Sequence, residues 1–178
     1  MTSFSLTLDE IYALAHEALL GAGANEEQAD AVANVVTRAE RDGSHSHGLF
    51  RIPGYVASLR SGKVKGDADP TLSKRSPVVL HCDGDLGYAP LAHRRSLTAV
   101  AEAAKENGLA TLSLTRTHHF AALWPETETL GQHGLVAMAC GAPLLSRGAV
   151  LRRRMKTNGG RRVLTRRRRK GRWRVAVT

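Results

Sequence analysis

The sequence predicts an α/β fold: N-terminal helices, then an incomplete α/β layer, then a disordered basic tail. Three observations carry this reading. Residues 7–42 contain two apolar stripes at helical spacing, each opened by a capping residue. From Ser76 onward short apolar runs alternate with helix-length stretches, giving strand, helix, strand, helix, strand. The charge is also divided unevenly. Residues 151–178 hold 13 of the 26 Lys and Arg and no Asp or Glu, while residues 1–150 carry 13 basic against 16 acidic side chains. The expected boundaries are 1–75 for the helical region, 76–143 for the α/β layer and 144–178 for the tail.

Thr7-Leu8-Asp9-Glu10 forms a capping box, in which the Thr7 hydroxyl and the Glu10 carboxylate each satisfy a free backbone N–H. Ile11, Leu14, Ala15, Ala18 and Leu19 then make a helical stripe that stops near Gly21 and Gly23. Asn25 and Gln28 start a second helix with Ala29, Val32, Ala33 and Val36 on its buried side, ending around Asp42-Gly43. Ser44 to Ser61 reads as a third helix, with a break near Leu49 because Pro53 withdraws one N–H. Gly62 to Lys74 reads as a polar loop. Val78–Cys82 is a buried strand followed by the turn Asp83-Gly84-Asp85, and Pro90–Asn107 is a helix closed by Gly108. Ala110–Leu114 and Leu135–Cys140 complete the strands, with a helix between them.

An apolar content of 42% suits a globular protein. No apolar run approaches the ~20 residues of a membrane span. The start, Met1-Thr2-Ser3-Phe4-Ser5, lacks a basic segment followed by an apolar core, so no signal peptide is expected. Cys82 and Cys140 sit in apolar runs and read as buried free thiols of a reducing cytoplasm.

Ser46-His47-Gly48-Leu49-Phe50-Arg51-Ile52-Pro53-Gly54-Tyr55 is the most informative stretch. On a helix, residues four apart are neighbours, so His47, Arg51 and Tyr55 would form one stripe with Ser46 at its start. A guanidinium binds a carboxylate through paired hydrogen bonds, and an imidazole delivers a proton near neutral pH. That combination suits reduction of a 2-oxo or 2-imino acid. The same spacing also fits a solvated helix face with Ser46 as N-cap. Thr115-Arg116-Thr117-His118-His119-Phe120-Ala121-Ala122-Leu123-Trp124 is the second candidate, placed where a strand ends and a helix opens. Ligands collect at the carboxyl ends of strands in open α/β sheets. No metal site is expected from His45, His47, His118 and His119, because no Cys pair or H-E-x-x-H accompanies them. Nor does a G-x-G-x-x-G follow any predicted strand, so the usual dinucleotide fingerprint is missing.

Together these motifs resemble the malate/L-lactate dehydrogenase family of NAD(P)-dependent oxidoreductases, distinct from Rossmann-type lactate dehydrogenases. Ser46, His47, Gly48, Arg51 and Tyr55 match its S-H-G-x-x-R-x-x-x-Y, and Asp83, Gly84 and Gly87 match its D-G-x-x-G. His119 matches the histidine after the next strand, and the form H-F-A-A-L-W resembles the Δ1-piperideine-2-carboxylate/Δ1-pyrroline-2-carboxylate reductase branch. The resemblance covers about residues 4 to 140, and it decides against the solvated-face reading. It implies an α/β layer of the non-Rossmann malate/lactate dehydrogenase type, with residues 76–143 a partial cofactor-binding region. It implies reduction of cyclic 2-imino acids to L-proline or L-pipecolate with NADPH or NADH, with 2-oxo acids as the alternative substrates. His47 would donate the proton, assisted by Ser46. Arg51 would hold the substrate carboxylate with Tyr55 close by. His119, Phe120, Ala121, Ala122 and Leu123 would line the cofactor. A cytoplasmic homodimer is implied for a full-length form.

The family's later P-x-G-G and G-T-N-P segments, and a downstream Asp that polarises the catalytic histidine, have no match after Cys140. A weakly active or inactive, truncated form is therefore expected. Two readings of the arginine-rich tail stand: a basic arm that binds nucleic-acid phosphates, and translation out of frame. The abrupt loss of the family pattern favours the second.

Overall fold

The protein is described from a computed structural model, which covers residues 5–119 and 121–140. The chain divides into two units, Met1–Ala139 and Cys140–Thr178; the architecture below is that of the first. Expectations for Phe120 and for the tail at 144–178 lie outside the described residues.

Helix α1 (Leu8–Leu20) opens on the expected capping box, with Thr7 accepting from the Glu10 backbone and the Glu10 carboxylate accepting from the Thr7 N–H at 2.7 Å. Helix α2 (Glu26–Arg41) is capped by the Asn25 side chain, which accepts from the Gln28 N–H at 2.9 Å. Its stripe of Ala29, Val32, Ala33 and Val36 is fully buried, as its spacing predicts. These residues pack with Ala15 and Leu19 of α1 and with Tyr55, Leu59, Val64 and Tyr88 from later in the chain.

The expected third helix is divided. Two 3₁₀ turns, His45–His47 and Leu49–Arg51, precede helix α3 (Ile52–Arg60). The break predicted near Leu49 is thus a change of structure rather than a kink. Pro53 lies in the first turn of α3, where a missing N–H costs nothing, so the proline starts a helix here and does not interrupt one.

The sheet is three-stranded, in the order β1-β2-β3. Strand β1 (Thr71–Ser76) runs antiparallel to β2 (Val79–Asp83), with an irregularity between Lys74 and Ser76. Helix α4 (Ala89–Asn107) crosses over to β3 (Thr111–Thr115), which lies parallel to β2 with Val79 opposite Thr111 and Asp83 opposite Thr115. Leu80, Val100 and Ala103 form the buried seam between α4 and the sheet. Gly108 closes α4 with φ +82°, a left-handed conformation that favours glycine. Helix α5 (Trp124–Gln132) follows.

Three expectations are corrected. The segment read as a polar loop at 62–74 contains most of β1, an edge strand whose residues are exposed or half-buried and so show no apolar alternation. Leu135–Cys140 is not a strand: it pairs with none of the described strands, and Val136 and Met138 project into solvent. An apolar run needs a ladder partner as well as hydrophobicity. Cys140 is accordingly exposed, while Cys82 is buried as expected.

One polar side chain ties the helices to the sheet. Gln28 is completely buried; its amide donates to the carbonyls of Lys65 and Gly66, both at 3.0 Å, and its carbonyl accepts from the Tyr88 N–H at 2.8 Å. Replacing Gln28 by Leu strips the buried Tyr88 N–H and the Lys65 carbonyl of this partner, while the Gly66 carbonyl keeps the Asn25 N–H at 2.8 Å. Urea denaturation of Gln28→Leu should show a loss of roughly 2–4 kcal/mol, well above that of a volume-conserving core swap.

Candidate active site

The site lies where the loops after β2 and β3 meet the segment between α2 and α3. The two strand-end loops are joined by backbone bonds: Gly84 N–H to Thr115 O (2.8 Å), Leu86 N–H to Arg116 O (2.7 Å), His118 N–H to Gly87 O (2.8 Å) and Ala89 N–H to His118 O (3.1 Å). All five non-glycine residues with positive φ among the described residues lie here, namely Asp85, Leu86, Arg116, His119 and Ala121. Each such residue costs roughly 1–2 kcal/mol, so the loops hold a conformation that neighbouring contacts must enforce. Arg116 supplies one such contact to Asp83 at 3.0 Å, and Lys65 another to Asp85 at 2.6 Å. The Lys65 ammonium holds the Asp85 carboxyl below the usual carboxylate range.

This brace points His119 at Tyr55, with ring centroids 5.3 Å apart and planes at 82°. Tyr88 packs edge-on against the same Tyr55 ring at 5.1 Å and donates its hydroxyl to the Tyr55 carbonyl at 2.7 Å. Tyr55 is 1% exposed, and its own hydroxyl has no hydrogen-bond partner. Burial pushes that phenol up to about 12, so it remains a donor at neutral pH.

The His47 segment is folded by a contact that sequence spacing does not reveal. The Glu40 carboxylate turns back from α2, accepts from the Leu49 N–H at 2.7 Å and pairs with His45 Nδ1. It passes so close to Gly48 that an added Cβ would stand 1.9 Å from Glu40 Oε1. Any side chain there would displace the Glu40 carboxylate from this position. The His47 Nδ1 atom lies 3.0 Å from the Ser46 hydroxyl and 3.4 Å from that of Ser44, which leaves Nε2 as the free nitrogen. Arg51 donates through Nε to the Ser46 carbonyl at 2.8 Å. His119 is held below the ordinary histidine range by burial, and further by the charges of His118, Arg51 and His47. Burial and the Lys63 charge depress His118 in the same direction.

The structure therefore sets His119 against Tyr55, with the charges of Arg51 and His47 acting on His119, but the four residues do not form one helical stripe. His47 and Arg51 sit on separate 3₁₀ turns and Tyr55 on α3. Ser46 makes no side-chain cap and instead contacts His47. Ala122 is buried and Ala121 packs against the helical core. His118 lies in the second candidate stretch, whereas Glu40 and Tyr88 were not foreseen as part of the site. Of these only Tyr88 had a sequence signal, as the aromatic residue directly after D-G-x-x-G. Among the described residues no group of three His, Cys, Asp or Glu side chains is gathered to hold a metal, and no helix is long and apolar enough to cross a membrane.

Residues 6–145 match the malate/L-lactate dehydrogenase family, and residues 151–177 match ribosomal protein L34. The chain is 46% identical over 132 residues to a Δ1-pyrroline-2-carboxylate reductase of Ancylobacter novellus, covering 74% of this chain and 39% of that protein. It is 42% identical over 135 residues to the Δ1-pyrroline-2-carboxylate reductase of Pseudomonas fluorescens, covering 76% of this chain and 40% of that protein. Malate dehydrogenase from Pyrococcus horikoshii superposes with a TM-score of 0.68 at 24% identity, over 74% of this chain and 38% of that one. The chain belongs to the malate/L-lactate dehydrogenase family and carries that fold in its first unit. It spans about two fifths of the length of the relatives it matches.

One buried acid near the site has an unusual environment. Glu126, in the first turn of α5, is 5% exposed with Oε2 unpartnered, and burial raises it to about 7. An acid with a raised folded-state value costs stability as pH climbs from its unfolded value through the folded one. Glu126→Gln should therefore match the parent near pH 4 in urea denaturation and exceed it at pH 8, by on the order of 2 kcal/mol.

Proposed function

We propose that this chain supplies the proton-donating and carboxylate-binding part of an NAD(P)H-dependent reductase of cyclic 2-imino acids. Its substrates are Δ1-pyrroline-2-carboxylate and Δ1-piperideine-2-carboxylate, and the products L-proline and L-pipecolate. The observation that carries this reading is the buried Tyr55 hydroxyl, which has no partner among the described residues, with the His119 ring against its own and the Arg51 charge acting on it. A desolvated donor left unpaired is a fitting partner for a polar ligand group.

Arg51 receives the substrate carboxylate, and the Tyr55 hydroxyl donates a further hydrogen bond beside it. His47 delivers a proton from Nε2 to the ring nitrogen, with Ser46 steadying Nδ1. The loop His119–Leu123, including Phe120, lines the nicotinamide cofactor, which when bound supplies the hydride to the C=N carbon. The strained backbone of His119 and Ala121 and the depressed titration of His119 suit that placement, because a neutral ring is compatible with a charged dinucleotide cofactor and a developing amine. Phosphorylated NADP is the proposed form, with NAD as the alternative, and 2-oxo acids are the alternative substrates. The complete enzyme is proposed to be a cytoplasmic homodimer. The P-x-G-G and G-T-N-P elements and the downstream Asp have no match after Cys140, and weak activity at most is the proposal for these 178 residues alone.

The test places residues 6–140 in a full-length chimera with the remainder of the Ancylobacter novellus reductase and follows NADPH oxidation with Δ1-pyrroline-2-carboxylate. His47→Gln should lower kcat by about 10²-fold or more, the usual scale for general acid catalysis. Arg51→Ala should act mainly through KM. Unchanged turnover in His47→Gln would refute the proton-donor role.

A second reading concerns the tail. The match of residues 151–177 to ribosomal protein L34, with 13 basic and no acidic side chains in 151–178, supports nucleic-acid binding by that segment. The out-of-frame reading has no comparable support. Gel shift of the 178-residue chain with ribosomal RNA should show binding that weakens steeply with salt and disappears on deleting residues 151–178.

A further inference from the structure

We infer that Trp124 is a positioning residue for the His47 imidazole, an assignment that rests on His47 being the proton donor. A histidine ring has a broad, roughly two-fold χ2 preference, so a half-turn swaps the places of Nδ1 and Cδ2, and of Nε2 and Cε1, at little torsional cost. It also breaks the Nδ1 contacts with the serine hydroxyls that select the tautomer. Serving as a proton donor from Nε2 requires that this half-turn be prevented. The Ser46 and Ser44 hydroxyls mark one nitrogen, at 3.0 and 3.4 Å, but both are hydroxyls on the same short segment and can follow the ring. A restraint from outside that segment is needed.

Trp124 provides it. Its ring meets the His47 ring edge-on, with centroids 6.1 Å apart and planes at 76°, within the range of attractive aromatic pairs. The indole is itself held in place. Its Nε1 donates to Asp42 Oδ2 at 2.9 Å, and Asp42 is the residue that ends α2, five positions before His47. Arg41 grips the same carboxylate through Nε at 2.8 Å and Nη2 at 3.1 Å, and holds it below the usual carboxylate range. Three further contacts fasten the start of α5 to α2. Arg38 donates to the Pro125 carbonyl and pairs with Glu128, and the Arg41 guanidinium lies 3.7 Å from the other Glu128 oxygen. The beginning of the His47 segment and the base of the indole are thus anchored to one carboxylate. The wall against the imidazole moves with the segment that carries it.

If Trp124 only filled the junction of α2 and α5, removing it would lower stability and leave the imidazole as it was. The two roles separate in the ring nitrogen signals of His47, read by two-bond ¹⁵N–¹H correlation on the full 178-residue chain and assigned with His47→Gln. The parent should show one dominant tautomer. Trp124→Leu should lose that pattern, with the two ring nitrogens converging toward an average, and Trp124→Phe, which keeps an aromatic edge, should restore most of it. A single unchanged tautomer in a folded Trp124→Leu overturns the inference. Should Trp124→Leu lose its dispersed amide spectrum, Asp42→Ala carries the test. It cuts only the exposed tether, and partial convergence is expected; an unchanged pattern again overturns the inference. Failure of the proton-donor reading would leave all these signals as predicted and show itself only in the turnover of the His47→Gln chimera.

Discussion

The buried amide of Gln28 is the constraint on which the rest of the structure depends. A primary amide has two donors and an acceptor, and Gln28 uses them on three backbone groups from two distant segments. The carbonyls of Lys65 and Gly66 belong to the connection into β1, and the Tyr88 N–H belongs to the entry into α4. Both segments are drawn against α2 at the same point. The fit is tight: a Cβ at Gly87 would stand 2.6 Å from Gln28 Oε1 and 2.4 Å from the Ala68 Cβ, and one at Gly66 would stand 1.9 Å from the Gly23 carbonyl. Tyr88, fixed at its backbone by Gln28, then reaches with its hydroxyl to the Tyr55 carbonyl. The helical cluster and the sheet therefore share a polar pin, and the aromatic face of the site is built directly on it.

The strand-end loops show the complementary strategy. Left-handed residues such as Leu86 and His119 are unfavourable in isolation, and here sheet-like backbone bonds and the Lys65, Asp83, Asp85 and Arg116 charges compel them. A loop made this way has its shape before any ligand arrives. That suits a site whose ligand makes contacts from several chain segments at once.

How much of this could be read from the sequence depended on the range of the interaction. Caps and stripes are local, so Thr7, Asn25 and the Ala29–Val36 face were legible, as were the strands around Leu80 and Leu112 and the left-handed stop at Gly108. Strand β1 was not, because an exposed edge strand such as Leu72-Ser73-Lys74 carries no alternation. Leu135–Cys140 misled in the opposite way, being apolar without a partner. Within the site, His47, Arg51, Tyr55 and His119 were singled out by residue type together with the family resemblance. Their geometry was not legible. The four-residue spacing suggested a continuous helix, whereas the Glu40 carboxylate, reaching over Gly48, folds the segment into turns. Contacts between Glu40 and Leu49, or between Gln28 and Tyr88, leave no pattern in a single sequence.

The crowding of like charge around His119 has a consequence for the traffic of protons. Burial, and further the charges of His118, Arg51 and His47, disfavour the protonated His119 ring. An anion seated among them reverses the sign of the local field, and each imidazole then holds a proton more readily. Binding and protonation are linked equilibria, so whatever favours one favours the other to the same degree. A carboxylate entering this pocket draws protons in from solvent, and acidity in turn tightens the hold on the carboxylate. On the proposed function, the ion that is recognised would also load the site with the proton that its reduction consumes.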